Sequence, residues 1–221
     1  MVAMAWTERR EGWTDERVAT DYDARRFSGP MQRRKHANDA RLVTGLLEQA
    51  GKELHVLDAP TGTGRMVGDL LEAGHRVTGI DLSQPMLHQA RSATGSDSSR
   101  FRGCLAGEIE RLPFQDDAFD AVISLRFLFH ARDPAVRARL LAEFRRVSPW
   151  LIGHVRSREN LKHAGRWLRS QAGLSRRYRP AQGRRELRGE LGASGWDLVK
   201  CTPVSRIFSD KVLFLAKRQA T

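Results

Sequence analysis

Apolar and polar residues along the chain alternate between a helical period and a strand period. Leu42, Val43, Leu46 and Leu47 fall on one face of a helix, which is therefore predicted over residues 33–50. The pattern then predicts a buried strand in LHVLDA, a helix in GRMVGDLLEAG and a second strand in RVTGID. This order of strand, helix and strand is typical of a βαβ unit.

The alternation continues beyond this unit. A helix capped by Ser83 is predicted in QPMLHQARSA, followed by strands in FRGCLA and FDAVISLR. Asp133 and Pro134 open the helix AVRARLLAEFRRV, which leads to a strand in WLIGHVR. The pattern then predicts a basic helical stretch to about residue 173, a loop through 180, a helix over 184–191 and the strands WDLVKC and KVLFLA. Such alternation predicts a mostly parallel sheet with right-handed crossovers.

Basic residues are concentrated in one segment. The chain of 221 residues has a formal net charge of +12. Residues 156–188 contain eleven lysines or arginines and two glutamates, so +9 of the total charge lies there. This local excess favours an anionic or phosphorylated partner, although most charge runs are simply solvated surface.

A glycine-rich turn follows the first strand. In VLDAPTGTGR the strand ends at Asp58 and the chain turns through Gly62 and Gly64 into a helix. Glycines allow a ligand to approach the backbone closely, and a helix amino terminus offers free N–H donors. Val67 occupies the position where the dinucleotide fingerprint has a small residue, and no Walker lysine follows, so NAD and ATP are disfavoured.

Two further acidic residues are candidates for ligand binding. Asp81 ends the second strand in GIDLS, 17 residues after Gly64, which is close to the spacing that places a carboxylate on ribose hydroxyls. Glu108 lies in the loop GEIERLPFQDDAFDAV, where its carboxylate is a candidate acceptor for a purine amine. Its alternative is an ordinary solvated loop carboxylate.

Together these motifs resemble those of class I S-adenosylmethionine-dependent methyltransferases. The order VLDAPTGTG, GIDLS and GEIERLPFQDDAFD is most similar to the group that contains the ubiquinone and menaquinone C-methyltransferases, and the likeness spans residues 18–155. It implies an α/β fold, a Rossmann-like, mostly parallel seven-stranded sheet flanked by helices, with the last strand antiparallel and a small helical cap. It also implies S-adenosylmethionine as the cofactor.

The resemblance assigns residues to parts of the cofactor. Residues 58–64 would line its methionine end, Asp81 its ribose, and Glu108 with Ile109 its adenine. The cofactor-binding residues predicted in this way are Asp58, Ala59, Pro60, Thr61, Gly62, Thr63, Gly64, Arg65, Asp81, Leu82, Glu108, Ile109 and Leu125. Pro60 stands where the family has the first glycine of its loop, and proline has no N–H to donate.

Three residues are candidates for the reacting centre. The same resemblance places Arg126 beside that centre, His130 near the acceptor pocket and Tyr22 in an N-terminal lid. The alternative for Arg126 is a surface arginine paired with Asp120 or Asp133. A single tyrosine or histidine is as often a packing residue.

The expected organisation is one methyltransferase domain. Its parts would be an N-terminal arm with helices (1–50), a cofactor-binding core (51–156), a basic cap insertion (157–183) and a C-terminal helix with strands (184–221). The chain has no apolar stretch long enough for an integral membrane segment or the core of a signal peptide, so we expect a cytoplasmic protein. Its two cysteines show no metal-binding or disulfide spacing, so no metal site is predicted.

The motifs specify methyl transfer better than they specify its acceptor. A hydroxyl acceptor needs a base, for which His130 is the first candidate and Tyr22 the second, whereas an ionised carboxylate, phenolate or thiolate needs none. We expect a small or amphipathic, lipid-like acceptor that is anionic. One alternative is an RNA methyltransferase that holds phosphates with residues 156–188. Another is a non-catalytic cofactor-binding protein or a protein of the membrane surface.

Overall fold

The computed structural model describes residues 29–93, 99–159, 181–205 and 209–220. The first 28 residues, which include Tyr22 of the predicted N-terminal arm, and most of the predicted basic cap lie outside these ranges. Within them, no helix combines the length and the apolar composition needed to cross a bilayer.

Seven strands form one sheet, as predicted. They are β1 (His55–Asp58), β2 (Arg76–Asp81), β3 (Phe101–Ala106), β4 (Ala121–Ser124), β5 (Trp150–Arg156), β6 (Trp196–Pro203) and β7 (Lys211–Arg218), in the order β3-β2-β1-β4-β5-β7-β6. The first five strands pair in parallel, and β7 runs antiparallel to both of its neighbours. The order reverses between β1 and β4, and in such sheets ligands bind at the carboxyl ends of the strands beside this reversal.

Five helices flank the sheet in the described residues. They are α1 (Pro30–Leu47), α2 (Arg65–Glu72), α3 (Gln84–Ala93), α4 (Pro134–Val147) and α5 (Arg184–Ala193). Helix α1 begins three residues before its predicted start, because Pro30 suits the first helical position, and it also ends three residues before its predicted end. The Asp133 side chain caps α4 as predicted, accepting from the N–H of Ala135 at 2.8 Å.

The helices lie on two sides of the sheet and create two apolar layers. Helices α1 and α2 pack against β1, β4, β5 and β7 on one side. Helices α4 and α5 pack on the other, where the buried Trp196 donates from Nε1 to the carbonyl of Leu141 at 3.1 Å. Between β4 and α4 the chain forms a short 3₁₀ helix (Leu128–His130), which the sequence pattern did not predict.

Candidate functional site

A cavity of about 290 Å³ opens at the carboxyl ends of β1, β2 and β4. Most of the predicted site residues line it: Asp58, Pro60, Thr61, Gly62, Thr63, Arg65, Asp81, Leu82, Glu108, Ile109, Leu125, Arg126 and His130. Ala59 and Gly64 belong to the same loop but are not part of the lining; Ala59 is fully buried in the core. Tyr22 lies outside the described residues.

The loop after β1 depends on two left-handed glycines. Gly62 has φ +55° and Gly64 has φ +75°, a region that other residues enter only at a cost. At Gly64 a Cβ atom would lie 2.8 Å from the Cβ of Ala90, so both space and conformation demand glycine there. At Gly62 a Cβ would meet no protein atom within 4 Å, because this part of the backbone faces the cavity.

Asp81 joins this loop to β2. Its Oδ2 accepts from the N–H of Gly62 at 2.8 Å, and its Oδ1 accepts from the N–H of Ser83 at 2.9 Å. Burial raises the pKa of Asp81, and the backbone donors oppose that shift. Each carboxylate oxygen has two lone pairs, so both can still accept from a ligand. Asp81 therefore shapes the loop in addition to facing the cavity.

Asp58 is a second buried carboxyl group in the same wall. It is only 3% exposed, and its Oδ2 accepts from the Thr61 hydroxyl at 3.0 Å. Burial raises its pKa to about 7, the Thr61 hydrogen bond opposes the rise, and the charge of Asp81 adds to it. Two buried carboxyl groups side by side favour a ligand that brings hydrogen-bond donors and positive charge.

The residues predicted for the adenine part lie on the next loop. The Glu108 side chain is exposed at the cavity, while Ile109 is buried and packs into the core. Pro60 lines the cavity without an N–H, as expected, but Thr61 beside it donates its own N–H to the carbonyl of Ile80 at 2.9 Å. The loop is thus tied to β2 through both Thr61 and Gly62.

A second part of the cavity wall is formed by Arg126 and His130, which follow β4, together with residues of α1. The backbone of Arg126 has φ +58°, which is uncommon for a residue other than glycine. Its guanidinium donates to Oδ2 of Asp39 on α1 at 2.6 Å, and the Asp39 side chain is 5% exposed. The surface alternative for Arg126 is wrong, since Asp120 accepts from the N–H of His55 instead and Asp133 caps α4.

His130 lies at the end of the 3₁₀ helix. Its ring packs against Phe129, with the ring centroids 4.6 Å apart, and its side chain lines the cavity. Phe129 in turn lies beneath the guanidinium of Arg156, 4.7 Å from the ring centroid. His130 is therefore within the site, facing the same space as Arg126.

Several lining residues were not predicted from the sequence. They include His36 and Asp39 of α1, Met66 of α2, Ser83, Met86, Phe127 and Leu140. Asp39 did carry a signal, because it falls on the apolar face of α1 together with Val43 and Leu46. An acidic residue on a buried helix face needs a partner, and here that partner is Arg126.

Comparison with known proteins shows the family of the central part. Residues 56–148 match a family model described as a methyltransferase domain. The chain is 46% identical over 77 residues to the malonyl-(acyl-carrier protein) O-methyltransferase of Erwinia pyrifoliae. That match covers 34% of this chain and 28% of the relative, so the chain corresponds to only part of the relative's length.

Solved structures show the same fold over nearly the whole chain. Magnesium protoporphyrin IX methyltransferase from Synechocystis, with bound S-adenosylhomocysteine, has a TM-score of 0.74 at 20% identity and covers 97% of this chain and 100% of its own. The 1,6-didemethyltoxoflavin-N1-methyltransferase of Burkholderia thailandensis has a TM-score of 0.69 at 20% identity and covers 100% of this chain and 93% of its own. At such identities the likeness concerns the fold alone.

Proposed function

We propose that this chain, whose residues 56–148 match a methyltransferase domain, is a class I S-adenosylmethionine-dependent methyltransferase that binds S-adenosylmethionine and methylates a small anionic acceptor. One observation supports this most strongly. A single cavity has buried carboxyl groups and a glycine loop on one wall, and Arg126 with His130 on the other. This arrangement offers one side to a cationic cofactor and the other to an acceptor.

The residues of the first wall fit the cofactor group by group. Asp58, buried with a raised pKa, suits the ammonium of its methionine part. Asp81 suits the two ribose hydroxyls, and Glu108 suits the exocyclic amine of adenine. The open space at Gly62 leaves room for the cofactor against the backbone.

When bound, the cofactor supplies a methyl group on a positively charged sulfur. The contribution of this chain to such a displacement is alignment of the two reactants and exclusion of water. His130 has a proton to accept only if the acceptor is a hydroxyl or another protonated group. With an ionised acceptor, Arg126 and His130 act by orienting it.

A carboxylate is the acceptor we favour. The Erwinia relative is an O-methyltransferase of a malonyl group, and such a group ends in a carboxylate. Arg126, whose guanidinium is oriented by its ion pair with Asp39, lines the same cavity as the proposed cofactor residues. A guanidinium is well suited to hold a carboxylate in a defined orientation.

Calorimetry provides the direct test. S-adenosylmethionine and S-adenosylhomocysteine should both bind, whereas NADH and ATP should not. Turnover is then measured by mass spectrometry with malonyl-N-acetylcysteamine, a soluble malonyl thioester, and its methyl ester is the expected product. Binding of NADH or ATP without either sulfur ligand would refute the proposal as a whole.

RNA methylation is a second candidate, favoured by the +9 net charge of residues 156–188. The described part of this segment includes Arg184, Arg185 and Arg188, all exposed on α5. If RNA is the acceptor, unrelated RNAs should bind with an affinity that falls steeply as salt rises. Methyl transfer to RNA and to no malonyl thioester would favour this candidate over the first.

A further inference from the structure

A group of polar side chains lies on the α1 side of the sheet, next to the wall formed by Arg126. His154 of β5 is fully buried, and Asp39, Lys211 and Arg126 are the charged groups that act on its ring. Lys211 is the first residue of β7, where it pairs with Arg156 at the carboxyl end of β5. Asp39 and Arg126 therefore line the cavity, and His154 and Lys211 lie beside them at the same end of the sheet, outside the cavity lining.

Two members of this group lack partners among the described residues. Neither ring nitrogen of His154 has a hydrogen bond there, although the side chain is 0% exposed. The ammonium of Lys211, which is half-buried, makes no hydrogen bond or ion pair within the same part of the chain. Buried polar groups are rarely left unsatisfied, and an unsatisfied one indicates a ligand or needs another explanation.

The charges of the group do not balance. Asp39 pairs with Arg126 at 2.6 Å, and Asp210 pairs with Arg156 at 3.0 Å, which leaves the positive charge of Lys211 in excess. Burial lowers the pKa of Lys211 to about 8, with Arg126 the largest charge acting in the same direction, so the amine is still mostly protonated at pH 7. Burial lowers the pKa of His154 to about 3, so its ring is neutral at that pH.

We propose that Lys211, with the unpartnered imidazole of His154 beside it, binds an anionic anchor group of the acceptor. The group is an oxyanion, either a carboxylate or a phosphate. Because β5 separates β7 from β4, and Lys211 lies three residues beyond the level of Ser124 in the strand register, the start of β7 is about 10 Å across the strands and about 10 Å along them from the end of β4, or about 14 Å in all. This separation assigns Lys211 to a part of the acceptor away from the methylated atom. The role of this ligand as an acceptor rests on the proposed function.

Chemical modification tests the subsite directly. The protein, loaded with S-adenosylhomocysteine, is treated with a limiting amount of acetic anhydride at pH 8, with and without succinate or inorganic phosphate. Acetylation is then quantified by peptide mass spectrometry. Lys217, exposed on the same strand and stacked on Trp150, is the internal control. An anion at about ten times its Kd should slow acetylation of Lys211 about tenfold and leave Lys217 unchanged.

Variants provide an independent readout. Succinate or phosphate should raise the Tm of the wild type and of Lys217→Met, but not that of Lys211→Met, and Lys211→Arg should restore part of the shift. The anion that protects more strongly identifies the anchor group as carboxylate or phosphate. Equal protection of both lysines, no protection by either anion, or an undiminished shift in Lys211→Met would each overturn the subsite. The proposed function is judged separately, by the affinity for S-adenosylhomocysteine in the same samples.

Discussion

The two walls of the cavity differ in how their polar groups are satisfied. On the cofactor side, Asp81 accepts from two backbone N–H groups and Asp58 accepts from a hydroxyl three residues away. On the proposed acceptor side, Arg126 is in a left-handed conformation and reaches Asp39, 87 residues away, while His154, buried behind this wall, lacks a partner among the described residues. The first wall is formed by one local motif, whereas the second is assembled from distant segments. We expect the first to be sensitive to loss of a backbone contact and the second to changes in charge.

Replacement of Asp81 should have the largest effect. Asp81→Ala removes two acceptors for the loop together with the proposed ribose contact, and hydrogen bonds to a charged group are worth roughly 1.5 to 3 kcal/mol each. We expect the affinity for S-adenosylhomocysteine to fall about tenfold or more in calorimetry. Since the loop also loses its anchor, we expect some loss of stability as well.

Asp120→Ala is the matched control for this change. Asp120 also accepts from a backbone N–H, that of His55 at 2.7 Å, but at the opposite end of β1. The Asp120→Ala variant should therefore be less stable than the wild type and bind S-adenosylhomocysteine with unchanged affinity. If Asp81→Ala behaves in the same way, Asp81 only shapes the loop and does not contact the cofactor.

The pKa of Asp58 gives a second test of the cofactor wall. Its folded-state pKa of about 7 exceeds the ordinary aspartate value of 3.8, so the folded protein retains a proton that the unfolded chain has lost. The contribution of Asp58 to the stability of the free protein should therefore fall as pH rises from about 4 to 7, by up to about 1.4 kcal/mol per pH unit, and then level off, whereas buried His154, with its lowered pKa, contributes a slope of the opposite sign below about pH 6.5. Affinity for the cofactor should rise over the same range, because an ionised Asp58 attracts the ammonium.

These opposite trends distinguish a binding carboxylate from a merely buried one. Asp58→Asn should flatten the pH profile of binding measured by calorimetry, and the difference between wild type and variant in the free energy of unfolding, followed by circular dichroism, should slope over the same pH range. A flat binding profile in the wild type, together with a sloping stability profile, would remove Asp58 from the ammonium site.

The Asp39 and Arg126 pair tests the acceptor wall. A double-mutant cycle with Asp39→Ala and Arg126→Ala should give a coupling of about 1 kcal/mol or more in the free energy of unfolding, because the pair is largely buried. Arg139 and Glu110 form a more exposed pair at 2.9 Å, for which we expect less than about 1 kcal/mol. Equal couplings in urea unfolding would show that burial at the cavity does not strengthen the first pair.

The sequence predicted the cofactor wall better than the acceptor wall for a physical reason. Gly62 and Asp81 are 19 residues apart and belong to one βαβ unit, so their spacing alone indicates that they meet. The contact between Asp39 and Arg126 depends on how α1 packs, and the neighbourhood of His154 and Lys211 depends on the register of β5 against β7. Strand β4 was also predicted too long, because the left-handed turn at Arg126 carries no glycine to indicate it.

The smallest effect should come from the exposed arginines of α5. Arg184, Arg185 and Arg188 lie outside both walls, and exposed charges far from a binding site usually contribute within about 0.5 kcal/mol to stability. The triple change of these residues to Gln should therefore leave the Tm and the affinity for S-adenosylhomocysteine nearly unaltered.

If the acceptor is small, the KM of the triple variant for malonyl-N-acetylcysteamine should also stay the same, because the proposed anion-binding groups are Arg126 and Lys211. If the acceptor is RNA, the same variant should bind RNA more weakly and with a smaller dependence on salt, because the slope falls by about one unit for each phosphate that is no longer bound. Fluorescence anisotropy with labelled RNA at several salt concentrations separates the two cases. If the RNA affinity of the variant depends less on salt and RNA methylation is lost, the acceptor is bound by the basic surface and not by the cavity wall.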